Sequence, residues 1–291
     1  MKRILLFLIL YSLTSHSVSA HRLNEHWADV NGTMLRYEYS VPTSANEDTQ
    51  TLVLLHEMTM SLESWDFVID DLQQDFKVLR YDLRGFGLSQ KVQGSVTFED
   101  HSQDLAALLE KLGIEDRVIL IGGALGAAVA IQFAADYPQQ AKGVVGFSPA
   151  TQVSTAERPP VMAMAARVQG GNMREFVDGD LDYVYPPEIQ NEAGLLKFRA
   201  LQYANDPDSM AATLRMIAIT EWDDTFASVQ CPVLAVATTL FKDRPPASIQ
   251  AIVRKMPKGQ YAALETGHFA ALQSPELVLP LIRKFVDSVS N

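Results

Sequence analysis

Residues 117–138, RVILIGGALGAAVAIQFAADYP, constrain the fold more than any other part of the chain. An apolar run over 118–121 meets glycines at 122, 123 and 126, then passes without a spacer into an alanine-rich segment. The run reads as a strand buried on both faces, and the alanines that follow read as a helix. Glycines around the junction allow strand and helix backbones to approach closely. A strand, a sharp turn and a helix packed back on it imply a parallel sheet with helical crossovers. The residue at the apex of that turn is Ala124.

The beginning of the chain sets its destination. Residues 1–20 carry Lys2 and Arg3, an apolar run over 4–10 and small residues ending at Ala20. This is the pattern of a secretory signal peptide cleaved after Ala20, and it predicts export to the periplasm or the exterior. Ser12, Thr14, Ser15 and His16 interrupt the apolar run early, so no stable membrane anchor is expected. Removing 20 residues from 291 leaves 271, a length suited to one α/β domain with an insertion. The leader holds two basic and no acidic residues, so the remainder carries 22 basic against 35 acidic side chains, a balance of −13. Such acidity argues against nucleic acid and anionic membranes as partners and leaves a small molecule as the expected one. Cys231 is the only cysteine, which excludes an intrachain disulfide or a cysteine metal site. No metal or cofactor is expected, and the composition leaves the oligomeric state open.

Strand and helix signals alternate along the rest. Segments 26–29 and 34–41 flank Asn31-Gly32, a hairpin signal that predicts an antiparallel edge. Residues 51–55 and 77–83 read as strands, and between them Leu62, Trp65, Val68, Ile69 and Leu72 recur at helical spacing. Thr97 and Asp100 fit a capping box before a helix whose apolar face is Leu105, Leu108, Leu109 and Leu112. A strand follows at 143–147. Residues 150–228 then hold amphipathic helical stretches and no convincing strand, and they read as a lid inserted into a core of 21–149 and 229–291. A lid there would cover the carboxyl ends of the strands, where open α/β sheets bind ligands. Strands at 233–237 and 260–264 enclose a helix near 247–256, and a final helix starts at Ser274-Pro275-Glu276. The fold expected is a mostly parallel, doubly wound α/β sheet.

The blocks HEMTMSLESWD (56–66), YDLRGFGLS (81–89), IGGALGAA (121–128), CPVLAVA (231–237) and TGHFAALQSPE (266–276) resemble the α/β-hydrolase superfamily. Their order, with the segment DPDSMAATLRMIA, is most similar to 3-oxoadipate enol-lactonases and related esterases. The resemblance implies a nucleophile elbow, G-x-S-x-G, in which a serine attacks an acyl carbon, a histidine takes its proton, an acid orients the histidine and backbone N–H groups hold the oxyanion. The elbow here reads Gly122-Gly123-Ala124-Leu125-Gly126, with a methyl where the hydroxyl belongs. The histidine matches His268, and the oxyanion donors match the N–H groups of Leu125 and Met58. Glu57 replaces the glycine that usually follows the preceding histidine, which sets a carboxylate at the mouth of the oxyanion turn. The acid position falls on Phe241; Asp243, two residues on, is the nearby candidate, and Ser148 stands after the preceding strand where an acid could also sit. Met58, Met60, Met162, Met164 and Phe241 are candidates to line a pocket.

Two readings follow. The first is hydrolysis of a small ester or lactone by water that His268 deprotonates, without an acyl-enzyme, with Glu57 or Asp243 as the orienting acid. The second is a ligand-binding protein on a hydrolase scaffold. Dinucleotide binding is disfavoured because Ile121 stands where G-x-G-x-x-G needs its first glycine and no ribose-binding acid ends the next strand at Phe147-Ser148.

Overall fold

A computed structural model describes residues 25–171, 173–189 and 191–290. The expected leader over 1–20 lies outside the described residues. Eight strands form one sheet in the order β1-β2-β4-β3-β5-β6-β7-β8: β1 Glu25–Val30, β2 Thr33–Ser40, β3 Thr51–Leu55, β4 Lys77–Tyr81, β5 Val118–Gly123, β6 Ala141–Phe147, β7 Val233–Thr238 and β8 Gly259–Leu264. β1 and β2 pair antiparallel through the Asn31-Gly32 turn, whose φ values of 47° and 69° are those of the hairpin turn that suits twisted strands. β2 pairs antiparallel with β4, and every later pairing is parallel. The antiparallel edge and the parallel body both match the alternation in the sequence.

Helices cover the two faces. A 3-10 turn, Leu62–Trp65, leads into α1 (Asp66–Leu72), which shares one face with the final helix α11 (Pro275–Ser290). Trp65, Val68, Ile282 and Phe285 pack there on Leu52, Leu54 and Ile119. The other face takes α2 (Phe98–Lys111), α3 (Leu125–Asp136), α8 (Asp223–Ser228) and α9 (Pro246–Val253), with Leu105, Phe133, Phe226 and Ile249 against Leu55, Leu120 and Ala235. Central strands β3 and β5 are therefore buried throughout, which is why they read as unbroken apolar runs. α2 starts with the expected reciprocal cap, Thr97 accepting from the Asp100 N–H while the Asp100 carboxylate accepts from the Thr97 N–H.

Between β6 and β7 the chain is helical: α4 (Arg158–Gly170), α5 (Met173–Val184), α6 (Glu192–Tyr203), α7 (Pro207–Ile219) and α8. Residues of α4 to α7 form a third apolar cluster with Met60, Phe269 and Leu272 from the ends of the sheet. Ion pairing also ties this segment to the sheet layer, since Lys197 on α6 meets Asp66 on α1. One element escapes the sequence pattern: α10 (Ala270–Gln273) is a single turn, too short to show a period. Among the described residues no helix is long and apolar enough to cross a membrane.

Candidate active site

β5 ends at Gly123, and α3 begins one residue after Ala124, so the whole reversal rests on that alanine. Ala124 sits at φ +44° and ψ −104°, a region in which a Cβ costs on the order of 1–3 kcal/mol. Three backbone bonds hold it: its N–H donates to Phe147 O at 2.8 Å, and its carbonyl accepts from Ala128 at 3.1 Å and Ala150 at 3.0 Å. The turn is closed by contact that only glycine permits. A Cβ on Gly126 would stand 2.2 Å from Leu55 O, and one on Gly122 would stand 2.4 Å from Gly126 C. The turn is thus a tight strand–helix reversal with a methyl group at its apex.

Ala124 opens onto a cavity of about 530 Å³ between the sheet ends and helices α4 to α7. Met58, Leu125, Phe241, Asp243 and His268 also line it. Met58 lies in a tight loop after β3, where Met60 N–H closes back on Glu57 O at 3.1 Å and Thr59 adopts φ +67°. His56 braces that loop from within the core. Its Nε2 accepts the Leu83 N–H at 2.9 Å, which leaves Nδ1 protonated to donate to Glu57 O at 2.7 Å. From above, Gln202 of α6 donates to the Thr59 hydroxyl, and Asn205 donates to the Thr59 carbonyl. Leu125 is the first residue of α3, so its N–H is one the helix leaves unused. Neither that N–H nor the Met58 N–H donates to another described backbone group, and both residues face the cavity.

His268 follows β8 in a turn that Gln273 shapes, its Oε1 accepting the Phe269 N–H at 2.8 Å. The imidazole lies on the Phe241 ring, centroids 4.0 Å apart at 33°, with Phe269 edge-on at 5.0 Å. Its Nδ1 is buried without a hydrogen-bond partner. Burial first, and the nearby Arg244 guanidinium second, push its pKa down to about 3. The ring is nonetheless partly exposed to the cavity, so water admitted there offsets part of the burial. At neutral pH the imidazole is uncharged and available to accept a proton.

Neither expected carboxylate reaches this imidazole. Asp243 is exposed at the cavity wall and makes no hydrogen bond to His268. Glu57 does not line the cavity at all; it turns the other way and fills the space beside Gly123, where a Cβ would stand 2.3 Å from its Oε1. Only 3% of Glu57 is exposed, its Oε2 has no partner, and burial pushes its pKa up to about 7. A carboxylate expected at the mouth of the oxyanion turn is instead buried beside Gly123, whose missing side chain leaves the space that it fills. Met60 is likewise buried in the apolar cluster and does not line the cavity, whereas Met58 and Met164 do. At the position of the acid, Phe241 supplies a ring that covers the imidazole, and Ser148 pairs with the Thr238 hydroxyl at 2.7 Å.

Gln202, remote in the chain, and Arg244, which stands before two prolines, also line the cavity without a signal in the sequence. Among the described residues no group of three or more His, Cys, Asp or Glu could hold a metal ion.

Comparison with known proteins agrees with this architecture. A family profile described as alpha/beta hydrolase fold matches residues 50–230. The 2-(acetamidomethylene)succinate hydrolase of Mesorhizobium japonicum is 26% identical over 251 residues, 81% of this chain and 88% of that protein. Among solved structures, the enol-lactonase of Burkholderia xenovorans superposes with a TM-score of 0.81 at 22% identity, covering 90% of this chain and all of that one. A thermophilic esterase from Thermogutta terrifontis gives the same TM-score and identity, over 92% of this chain and all of that one.

Proposed function

This chain belongs to the α/β-hydrolase fold family, and from that premise, with relatives that are hydrolases, we propose that it hydrolyses a small activated ester or lactone without a covalent intermediate. The observation that carries the reading is the convergence of two unused N–H groups, at Met58 and Leu125, with the His268 imidazole around Ala124 in one cavity. In the proposed cycle, water enters the space that the Ala124 methyl leaves open. His268 removes its proton as the oxygen attacks the acyl carbon, and the two N–H groups receive the developing oxyanion. Collapse of the tetrahedral intermediate breaks the acyl C–O bond. The departing alkoxide takes the proton from the imidazolium, leaving a carboxylic acid and an alcohol from an ester, or a single hydroxy acid from a lactone. A histidine whose pKa is pushed down to about 3 is a weak base, so the reading selects acyl groups with good leaving groups, such as enol-lactones. Helices α4 to α7 would act as the lid, and the leader over 1–20 would place the reaction outside the cytoplasm.

A second reading, a ligand-binding protein, is favoured by the Phe241 ring lying against an imidazole that lacks an orienting acid. Turnover of 4-nitrophenyl acetate and dihydrocoumarin by the exported form separates the two. The hydrolytic reading expects turnover that His268→Ala lowers by roughly 10²- to 10⁴-fold. Turnover unchanged by that substitution rejects the role of His268, and saturable binding without turnover selects the second reading.

A further inference from the structure

Among the described residues the cavity wall carries one guanidinium, that of Arg244, and no carboxylate pairs with it directly. Arg244 sits in the loop between β7 and α9, largely buried, with its side chain lining the cavity beside His268. Its Nη1 donates to Thr151 O at 2.5 Å, where the chain leaves β6 for the helical segment. Among the described residues no carboxylate stands within ion-pair distance of it. Its other nitrogens are not sealed from solvent without a partner, so they keep accessible surface. Five N–H donors are therefore held in place, and one is used.

An arginine remains charged at any ordinary pH, and a buried cation without a counter-ion is costly unless something restores its solvation. Most of the cavity lining is apolar: Met58, Val161, Met164, Phe176, Leu214 and Phe241 among others. The two acids that share the wall, Asp243 and Glu157, act on Arg244 only through space, and neither forms an ion pair with it. Asp243 is exposed, and Glu157 is exposed with its carboxylate accepting the Ser154 N–H at 2.8 Å. A planar guanidinium with a free fork, set in an apolar cavity, is matched by a carboxylate, which accepts two parallel N–H bonds.

We propose that Arg244 is a substrate-recognition residue, and that the cavity takes an acyl compound bearing a carboxylate near its reacting carbonyl. The proposal rests on the hydrolytic reading for the word substrate, but recognition itself is read by binding alone. The carboxylate would lie on the guanidinium fork, and the carbonyl would point toward the N–H groups of Met58 and Leu125. An apolar body would occupy the space under α4 and α7.

Calorimetric titration of the full chain with 3-phenylpropanoate and its neutral isostere 3-phenylpropanamide tests this. The carboxylate should bind roughly 10- to 100-fold more tightly, the range of a hydrogen-bonded charge pair. Arg244→Gln should erase the preference and leave amide affinity in place, while Arg244→Lys should retain part of it. Glu157→Gln, which removes an opposing charge, should tighten the carboxylate alone, and it keeps the test decisive should Arg244→Gln fail to fold. Equal affinity for acid and amide in the unaltered protein overturns the proposal, as does a preference that survives Arg244→Gln. Rates with mono-4-nitrophenyl succinate against 4-nitrophenyl butyrate then separate the two readings. No turnover of either ester with the binding preference intact rejects hydrolysis and keeps the recognition; turnover of both without preference does the reverse.

Discussion

Glu57 ties a buried charge to a measurable stability. The carboxyl moves from an ordinary 4.5 to about 7 because the folded chain seals it beside Gly123, with burial as the dominant cause. A raised acid binds its proton more tightly in the folded chain than in the unfolded one. Its contribution is therefore fully present below pH 4.5 and is lost as pH rises through about 7. At about 1.4 kcal/mol per tenfold change in proton affinity, the whole loss is about 3 kcal/mol, of which 2–3 kcal/mol, roughly, falls between pH 5 and pH 8. His101 and His268 act in the opposite sense. Their folded pKa values, lowered to about 4 and about 3, yield stability that is present above 6.5 and lost as pH falls. The unaltered protein therefore shows a mixed profile, and the difference from Glu57→Gln isolates the carboxyl. Urea unfolding of both proteins at pH 5 and pH 8 should show the variant gaining about 2–3 kcal/mol on the parent at the higher pH, whatever fixed penalty the buried amide adds. Parallel profiles, within about 0.5 kcal/mol, would mean that the carboxyl is ionised and solvated in the folded chain, and the burial argument fails.

The same packing makes Gly123→Ala costly, because the new Cβ would meet Oε1, Cδ and Cγ of Glu57 within 2.7 Å and displace the whole side chain. A loss of about 1–3 kcal/mol in thermal or urea unfolding is expected, and Glu57→Ala in the same chain should recover most of it. Ala124→Ser should give at most one equivalent of 4-nitrophenol in a burst followed by slow turnover, since the imidazole lacks an acid. Adding Phe241→Asp, at the ring that touches His268, should raise that turnover by at least about 10²-fold, against the roughly 10⁴-fold cost of a missing orienting acid in serine proteases. Equal rates for the single and double variants would mean that position 241 does not address Nδ1.

Sequence alone determined whatever depends on neighbours along the chain. The glycines at 122, 123 and 126 specified a close strand–helix turn, Asn31-Gly32 specified a hairpin, and Thr97 with Asp100 specified a helix start. Each of these is written in a few consecutive residues, because turn dihedrals, caps and apolar periods are local properties. Side-chain partners across the fold were decided by the tertiary structure. Glu57 reads as a carboxylate at the oxyanion turn until β3 and β5 pair and the bare face of Gly123 takes it. Arg244 has no signal in the sequence and gains its setting only when the segment after β6 brings the Thr151 carbonyl to it, and Phe241 reads as a missing acid until its ring is found on His268. Burial and unpaired charge are made by segments far apart in the chain, so they exist only once the sheet has brought those segments together.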